Sequence, residues 1–182
     1  MGKANRILIV DDEARFRSAL SKILEDCGYD ITMAASGEEA LSHFEKHPYP
    51  LLITDIQMPG MSGIQLLNAV KSGHNECEVI VTNSYAYLEE AIEAMRAGAY
   101  DCLIKPFKDP EVICNTAHQA IEKVRLQVQN QSLIEALKQH NKALESANAR
   151  LKKMATHDGL TGLYNHRYLQ DSLSAEINRV KR

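Results

Sequence analysis

Several features are missing from this sequence of 182 residues, and each absence removes a class of protein. No apolar run approaches the roughly 20 residues that cross a bilayer. The N-terminus has only a short apolar stretch before two acids, so no signal peptide is predicted. A net charge of −3 favours neither nucleic acid nor membrane as a partner. No basic stripe or helix-turn-helix unit indicates a DNA-binding output.

Cysteines are also few, and their spacing is uninformative. Cys27, Cys77, Cys102 and Cys114 form no CxxC pair and no metal-like spacing with histidine. Disulfides are rare in proteins of reducing compartments. We therefore predict reduced thiols at all four positions, in a cytoplasmic protein.

Short apolar runs alternate with helical patterns through the first 107 residues. Several runs are apolar at consecutive positions, which is typical of strands covered on both faces. Strands that alternate with helices predict an α/β fold with a parallel sheet and right-handed crossovers. The predicted strands are Arg6–Val10, Asp30–Ala34, Leu51–Thr54, Val79–Thr82 and Cys102–Ile104.

Proline and glycine are absent between Pro110 and Gly159, which predicts one long helix with Asp109 as its cap. Its second part carries a seam with spacings that alternate between three and four residues, which indicates a two-stranded coiled coil. Asn130 in that seam would favour a parallel dimer. The alternative is a surface helix folded back on its own domain. The seam residues are Asn130, Leu133, Leu137, His140, Leu144, Ala147 and Leu151.

Polar side chains follow the predicted strands at positions that should meet at one edge of an open parallel sheet. Three close carboxylates repel one another unless a cation joins them, and Mg²⁺ is the natural candidate. A carboxylate can also attack phosphorus and form an acyl phosphate. The alternative is that these acids only cap turns at the strand ends. The residues are Asp11, Asp12, Asp55, Asn83, Lys105 and Pro106.

The stretches ILIVDDE, DIQMPGMSG and GAYDCLIKPF resemble the three signatures of two-component receiver domains. The resemblance covers roughly residues 5–122. It implies a flavodoxin-like five-stranded parallel sheet of order 2-1-3-4-5, with helices on both faces. It also implies that a sensor histidine kinase phosphorylates Asp55.

The resemblance also assigns roles to other residues of the predicted site. Lys105 would pair with the phosphoryl oxygens, and Pro106 would follow a cis peptide bond. Mg²⁺ would be held by Asp11, Asp12, Asp55 and the backbone carbonyl of Gln57.

Two positions depart from the family pattern. The Thr or Ser that usually follows strand four is Asn83, whose amide can still donate to a phosphoryl group. Thr82 would serve only if the strand end were shifted by one residue, because its side chain should face the other way. Cys102 replaces the usual switch aromatic, with Tyr100 two residues earlier, and a thiol cannot make the aromatic swing. A phosphate-independent receiver is therefore an alternative.

The stretch HDGLTGLYNHRYL, residues 157–169, resembles the beginning of diguanylate cyclase domains of the GGDEF family. Those domains follow a signalling helix with the pattern D-x-L-T-G-L-x-N-R-R, and His166 stands at the first Arg. Gly159 and Gly162 would break the long helix, and Asn165 would cap the next one. The alternative is a chance helical hairpin. The catalytic loop of such a domain is not in the sequence, so we expect a truncated protein without cyclase activity.

We therefore predict a receiver domain at 1–122, a coiled-coil signalling helix at 123–156 and a fragment of a GGDEF-like output domain at 157–182. Asp55 would accept a phosphoryl group, and the dimerising helix would relay the signal to a diguanylate cyclase output outside this chain, which makes cyclic di-GMP. The alternative is a stand-alone dimeric receiver that acts as an adaptor, phosphate sink or phosphate-independent interaction module.

Overall fold

A computed structural model describes residues 5–73, 76–84 and 88–180. The outer ends of the first and last predicted segments, residues 1–4 and 181–182, lie outside this range. None of the described helices is apolar over a stretch long enough to cross a bilayer. The elements are β1 (Arg6–Val10), α1 (Ala14–Asp26), β2 (Asp30–Ala34), α2 (Gly37–Lys46), β3 (Leu51–Asp55), α3 (Gly63–Gly73), β4 (Glu78–Ser84), α4 (Leu88–Arg96), β5 (Asp101–Lys105), α5 (Pro110–Thr156) and α6 (His166–Val180).

The five strands form one parallel sheet in the order β2-β1-β3-β4-β5. This confirms the predicted fold and strand order. The central strand β3 is buried at all five positions, as expected for a strand covered on both faces. Pairing is level between β3 and β4, with Asp55 opposite Thr82. The strand ends that carry the predicted site therefore meet at one edge.

Successive side chains of each strand point to opposite faces of the sheet and pack in two hydrophobic cores, one on each face. Leu8 and Val10 of β1 pack in the core that contains residues of α2, α3 and α4. Ile7 and Ile9 pack in the core that contains residues of α1 and the first part of α5. The helices on both faces leave the carboxyl edge of the sheet as the open position for a site.

The predicted helix starts are occupied by side-chain caps. Ser62 and Gln65 form a reciprocal capping box, because each side chain accepts a hydrogen bond from the backbone N–H of the other, at 3.3 and 3.0 Å. Ser36 accepts from the Glu39 N–H at 3.2 Å. Asp109 Oδ1 accepts from the Glu111 N–H at 3.0 Å and so caps α5.

Contacts divide the chain into two units, Met1–Gln129 and Asn130–Arg182. In the first unit, Ile113, Ala117 and Ile121 of α5 are buried. Every residue from 125 to 155 is exposed. The apolar seam is part of that exposed stretch, and Leu137 and Leu151 are 61% and 63% exposed. The continuous α5 confirms the predicted long helix, and the coiled coil stays a prediction.

A buried ion pair cluster holds α5 against the amino end of β4. Glu78 is 4% exposed, and its carboxylate lies 2.7 Å from Lys71 Nζ and 2.7 Å from Lys123 Nζ of α5. Burial raises the pKa of Glu78, but hydrogen bonds from Lys123 and Lys71 outweigh that effect and leave the pKa below its usual value. The carboxylate is therefore held ionised between two ammonium groups.

The second unit contains a compact turn between α5 and α6. Asp158 Oδ1 accepts from the N–H of Leu160 at 3.2 Å, and from the N–H and hydroxyl of Thr161 at 3.0 and 2.9 Å. These bonds, led by the Thr161 N–H, lower the pKa of Asp158. Gly162 has φ +72°, a left-handed conformation that glycine adopts without strain. The predicted helix break is confirmed.

Asn165 begins the helix that follows this turn. Its side-chain Oδ1 accepts from the Tyr168 N–H at 2.9 Å, and its Nδ2 donates to the Ala155 carbonyl at 2.7 Å. Asn165 therefore caps α6 as predicted and also satisfies a carbonyl at the end of α5. Leu169, Leu173 and Ile177 of α6 are exposed.

The prediction of four reduced cysteines is wrong for two of them. Cys27 and Cys114 form a disulfide, with their Cα atoms 6.4 Å apart. The two residues are 87 positions apart in the sequence and become neighbours because α1 and α5 pack on the same face of the sheet. Spacing rules cannot detect such a pair. Cys77 and Cys102 are free thiols, as predicted.

The close approach of Gly63, the first residue of α3, to the end of β3 can be tested by substitution. A Cβ atom at this position would lie 2.0 Å from the Asp55 carbonyl oxygen. We expect Gly63→Ala to lower the free energy of unfolding by about 2 kcal/mol or more, because backbone must move to remove the clash. Urea unfolding measures this loss.

The matched control is Gly73→Ala at the other end of α3. A Cβ there would meet no atom within 4 Å, so we expect a change within about 0.5 kcal/mol. Equal urea midpoints for Gly63→Ala and the unmodified chain would contradict this account of the contact.

Candidate phosphoacceptor site

The carboxyl ends of β1, β3, β4 and β5 surround an open cavity of about 530 Å³. This confirms the expectation that polar residues after distant strands come together. The Gln57 side chain donates to Glu90 Oε1 of α4 at 2.9 Å. The predicted residues that line the cavity are Asp12, Asp55, Gln57, Asn83, Lys105 and Pro106.

Three carboxylates form a compact cluster at this cavity. One oxygen from each of Asp11, Asp12 and Asp55 lies within 4.8 Å of the other two. Asp11 is 3% and Asp55 is 9% exposed, whereas Asp12 is exposed. A set of oxygen donors that is partly open to water is what a hard divalent cation such as Mg²⁺ prefers. The cluster therefore fits the predicted metal.

Lys105 neutralises part of this cluster. Its Nζ atom lies 2.7 Å from Asp11 Oδ2 and 3.1 Å from Asp55 Oδ2, and the side chain is 7% exposed. Buried charges are stable only when they are paired and hydrogen-bonded. The peptide bond between Lys105 and Pro106 is cis, as the family resemblance implied. One buried ammonium group thus lies between two buried carboxylates.

The Asp55 carboxyl group is held in an environment that favours its neutral form. Burial raises the pKa of Asp55, and the charge and hydrogen bond of Lys105 only partly oppose this. Thr82 Oγ1 donates to Asp55 Oδ1 at 3.2 Å. An added cation would favour the ionised form, which is also the form that can attack phosphorus.

Thr82 was predicted to face away from the site, and this prediction is wrong, because its hydroxyl contacts Asp55. Thr82 is 2% exposed and contacts Asp55 without any shift of the strand end, because β3 and β4 pair with these two residues opposite each other. Asn83 lines the cavity, and its Oδ1 accepts from the Ser84 N–H at 2.9 Å. Both residues therefore lie at the site. The pairing of β3 with β4, which the sequence alone does not define, is what places Thr82 beside Asp55.

Cys102, a candidate switch residue, and the nearby Tyr100 pack against different cores. Cys102 packs against the core under α2, α3 and α4, and burial raises the pKa of its thiol. Tyr100 packs against the core that contains α5 residues, where Lys123 Nζ lies 5.2 Å from its ring centroid. Tyr100 therefore does not occupy the position of the usual switch aromatic, and Cys102 has no ring.

Aromatic and basic residues near α1 support the site and were missed by the sequence analysis. The Phe16 ring centroid lies 4.5 Å from Lys105 Nζ, a cation–π distance. Phe107 packs edge-on against Phe16, with centroids 6.2 Å apart. The Arg17 guanidinium donates to the Asp11 carbonyl. Only the packing of β1, α1 and β5 places these side chains at the site, so no sequence motif marks them.

The fold and this acidic edge define a flavodoxin-like receiver. Residues 7–118 match the model of the response regulator receiver domain family. The chain therefore belongs to the response regulator receiver family.

Relatives of known sequence share this part of the chain. Response regulator protein FleR of Pseudomonas aeruginosa is 35% identical over 118 residues, which are 65% of this chain and 25% of FleR. Regulatory protein AtoC of Escherichia coli is 43% identical over 108 residues, which are 59% of this chain and 23% of AtoC. The chain spans about a quarter of the length of these curated relatives.

Solved structures are similar over the same region. A receiver domain protein of Clostridium thermocellum has a TM-score of 0.63 and 30% identity, covering 67% of this chain and 98% of that one. A protein of Rhodopirellula baltica described as an adenylate cyclase has a TM-score of 0.66 and 25% identity. That similarity covers 72% of this chain and 97% of the other.

The raised pKa of Asp55 predicts how stability depends on pH. Because the pKa is higher in the folded than in the unfolded chain, ionised Asp55 costs the folded state free energy at pH values above the folded-state pKa. Without divalent metal, Asp55→Asn should therefore stabilise the protein at pH 8 and raise its unfolding temperature. The advantage should shrink as the pH falls through the folded-state pKa and should vanish below the pKa of the unfolded carboxyl.

Thermal unfolding at pH 8 and at about pH 3.5, below the ordinary Asp pKa, measures this difference. Asp171→Asn in α6, at an exposed position, is the control and should show no such trend. A lower unfolding temperature for Asp55→Asn than for the unmodified chain at pH 8 would contradict the assignment.

Proposed function

We propose that this chain accepts a phosphoryl group on Asp55 and relays the change through α5. The observation that carries the proposal is the position of the Asp55 carboxylate. It lies at an open cavity, 3.1 Å from Lys105 Nζ and within 4.8 Å of the other two carboxylates. Response regulators receive phosphate from sensor histidine kinases, and we propose such a kinase as the donor.

The proposed reaction is transfer of a phosphoryl group from a phosphohistidine. An Asp55 carboxylate oxygen attacks phosphorus, the new O–P bond forms, and the P–N bond breaks as imidazole leaves. Lys105 would balance charge on the phosphoryl oxygens. Mg²⁺, when bound, would supply further positive charge there. Its proposed ligands are Asp11, Asp12, Asp55 and the backbone carbonyl of Gln57.

We propose that Thr82 and Asn83 detect the phosphoryl group. The Thr82 hydroxyl already contacts Asp55, and the Asn83 side chain lines the cavity with an amide that can donate. Cys102 cannot fill space as an aromatic ring would. The change would therefore reach α4 and β5 through these polar contacts, without an aromatic swing.

We propose a parallel homodimer through the exposed seam of α5. The seam positions alternate at spacings of three and four residues, four of the seven are leucine, and all of them are exposed. A second copy offers an identical stripe, which would bury these side chains knob into hole. Asn130 would fix the register, because pairing with its counterpart satisfies a polar group inside the seam.

We propose a diguanylate cyclase as the output of the complete protein. The support is the match of residues 158–165 to the GGDEF-family pattern, together with the turn that Asp158 and Asn165 build after α5. The similar Rhodopirellula baltica protein is described as an adenylate cyclase, which is a nucleotide cyclase of another kind. FleR and AtoC are regulators, but the matched family region ends at residue 118. That likeness therefore carries no information on the residues after α5.

A stand-alone adaptor is the second candidate function. Asn83 and Cys102 at the two switch positions favour it, because an ordinary switch would use a hydroxyl and an aromatic ring. In that case the dimer would bind partners without a catalytic output, as a phosphate sink or as a phosphate-independent module.

Phosphorylation can be tested with phosphoramidate, a small phosphodonor, and intact-mass measurement. We expect the unmodified chain with Mg²⁺ to gain one phosphoryl group. Asp55→Asn should gain none, because it lacks the nucleophile, and chelation of Mg²⁺ should also prevent the gain. Asp171→Asn is the matched control and should react normally. Equal labelling of Asp55→Asn and the control would refute the role of Asp55.

The dimer seam can be tested with two substitutions that introduce the same charge. Leu137→Asp would place a carboxylate in the seam, and we expect the dimer to weaken by about 100-fold or more. Gln139→Asp places the same group outside the seam and should leave the dimer intact. Sedimentation velocity measures both. A monomeric unmodified chain, or equal dimerisation of the two variants, would show that the seam does not pair.

A further inference from the structure

The disulfide between Cys27 and Cys114 connects two elements that matter for the relay. Cys27 is the residue after α1 and is exposed. Cys114 lies near the start of α5 and is partly exposed. Their Cα atoms are 6.4 Å apart, although 87 positions separate them in the sequence. The disulfide is a covalent cross-link, in addition to the peptide backbone, between the receiver core and the helix that carries the predicted dimer seam.

Apolar packing already holds this part of α5 in place. Ile113 and Ala117 of α5 pack in the same core as Leu20 and Leu24 of α1. Opening the disulfide would therefore leave α5 docked by contacts that can slide, whereas the closed bond restrains its start against α1. The two oxidation states would therefore differ in the freedom of α5, while apolar packing would keep the fold common to both.

We propose that Cys27 and Cys114 form a thiol–disulfide site that takes small thiols and disulfides of the glutathione class, and whose oxidation state sets the mobility of α5 against α1. This site goes beyond the proposed phosphoacceptor function, and it operates whether or not Asp55 is phosphorylated. In a reducing compartment, the location predicted for this chain, disulfides are typically transient and redox-sensing, which agrees with such a role.

Glutathione is the only co-reactant that thiol–disulfide exchange at this site requires. The thiolate of reduced glutathione attacks Cys27 Sγ, a bond to glutathione sulfur forms, and Cys114 leaves as a thiolate that takes up a proton. A second glutathione thiolate then attacks the glutathione sulfur of the mixed disulfide and releases Cys27. Two glutathione molecules are oxidised to one glutathione disulfide, and the protein gains two thiols. Oxidation is the reverse reaction.

Access and local contacts suit this pair better than the other two cysteines. Cys27 is open to solvent, as an attacked sulfur must be. Cys114 Sγ lies 3.7 Å from the Ile23 carbonyl oxygen, which offers an acceptor to the thiol when the bond is open. Cys77 is buried, which raises its pKa to about 12, and Cys102 is partly buried with a raised pKa. Both free thiols therefore react slowly.

The first experiment maps the thiols of the full chain. The protein is equilibrated across ratios of reduced to oxidised glutathione, acid-quenched, labelled with a maleimide in denaturant and analysed as peptides. We expect Cys27 and Cys114 to pass together from blocked to labelled as reduced glutathione increases, while Cys77 and Cys102 stay labelled throughout. The proposal is overturned if the pair stays open in excess oxidised glutathione, or closed in excess reduced glutathione.

The second experiment measures backbone hydrogen exchange of residues 114–121 in both states, without any phosphoryl donor or mimic. We expect exchange in the reduced chain to be faster by about 10-fold, because local opening of the start of α5 is no longer restrained. Cys114→Ser should match the reduced chain under all redox conditions, and Cys77→Ser should follow the unmodified chain. Equal exchange in the oxidised and reduced chains would overturn the claim about α5.

A third measurement separates this proposal from the proposed function. Beryllofluoride, a phosphoryl mimic, is added to the oxidised and reduced chains, and exchange in α5 is compared with that of Asp55→Asn. If neither state responds to beryllofluoride, the phosphoryl relay is refuted. The redox proposal is then judged by the difference in exchange between the untreated oxidised and reduced chains. A response that is larger in the reduced chain is the result we expect.

Discussion

One buried ammonium group organises the site on which this chain depends. Lys105 lies between Asp11 and Asp55 at hydrogen-bonding distance from both, and without it two buried carboxylates would repel each other. The parallel register brings the ends of β1, β3 and β5 to one edge of the sheet. Asp55 is opposite Thr82 of β4, and Lys105 is opposite Ser84, two residues further along β4, so its long side chain reaches back to the carboxylates. Burial nonetheless raises the pKa of Asp55, which leaves a need for more positive charge at the cavity. A metal ion would supply that positive charge, and it would together with Lys105 offset the negative charge of a phosphoryl group on Asp55.

The proposed relay from this site to the rest of the chain uses α5. That helix is anchored in the receiver by apolar contacts, by the pairing of Lys123 with the buried Glu78 and by the disulfide at Cys114. Beyond residue 124 its side chains are exposed, and the leucine seam lies there. A helix that is fixed at one part and apolar at another can carry a change of packing from receiver to partner.

Much of the fold could be predicted from the sequence, because consecutive apolar runs and capping residues act locally. The acidic cluster was also predictable, since parallel strands bring their carboxyl ends to one edge. Thr82 was not, because its contact with Asp55 depends on the register of β3 against β4. The Phe16 contact with Lys105 and the pairing of Cys27 with Cys114 depend on how α1 packs against distant elements. The secondary structure of single segments could therefore be predicted from the sequence, whereas contacts between distant segments could be identified only from the structure.

The central claim is that Asp55 carries the phosphoryl group, and chemical trapping of the acyl phosphate tests it most directly. The chain is incubated with phosphoramidate and Mg²⁺ and then treated with borohydride, which reduces an aspartyl phosphate to homoserine. Peptide sequencing by mass spectrometry locates the reduced residue. The account predicts homoserine at position 55 alone. Homoserine at Asp11 or Asp12, or none at position 55 in a chain that has gained a phosphoryl group, would contradict it.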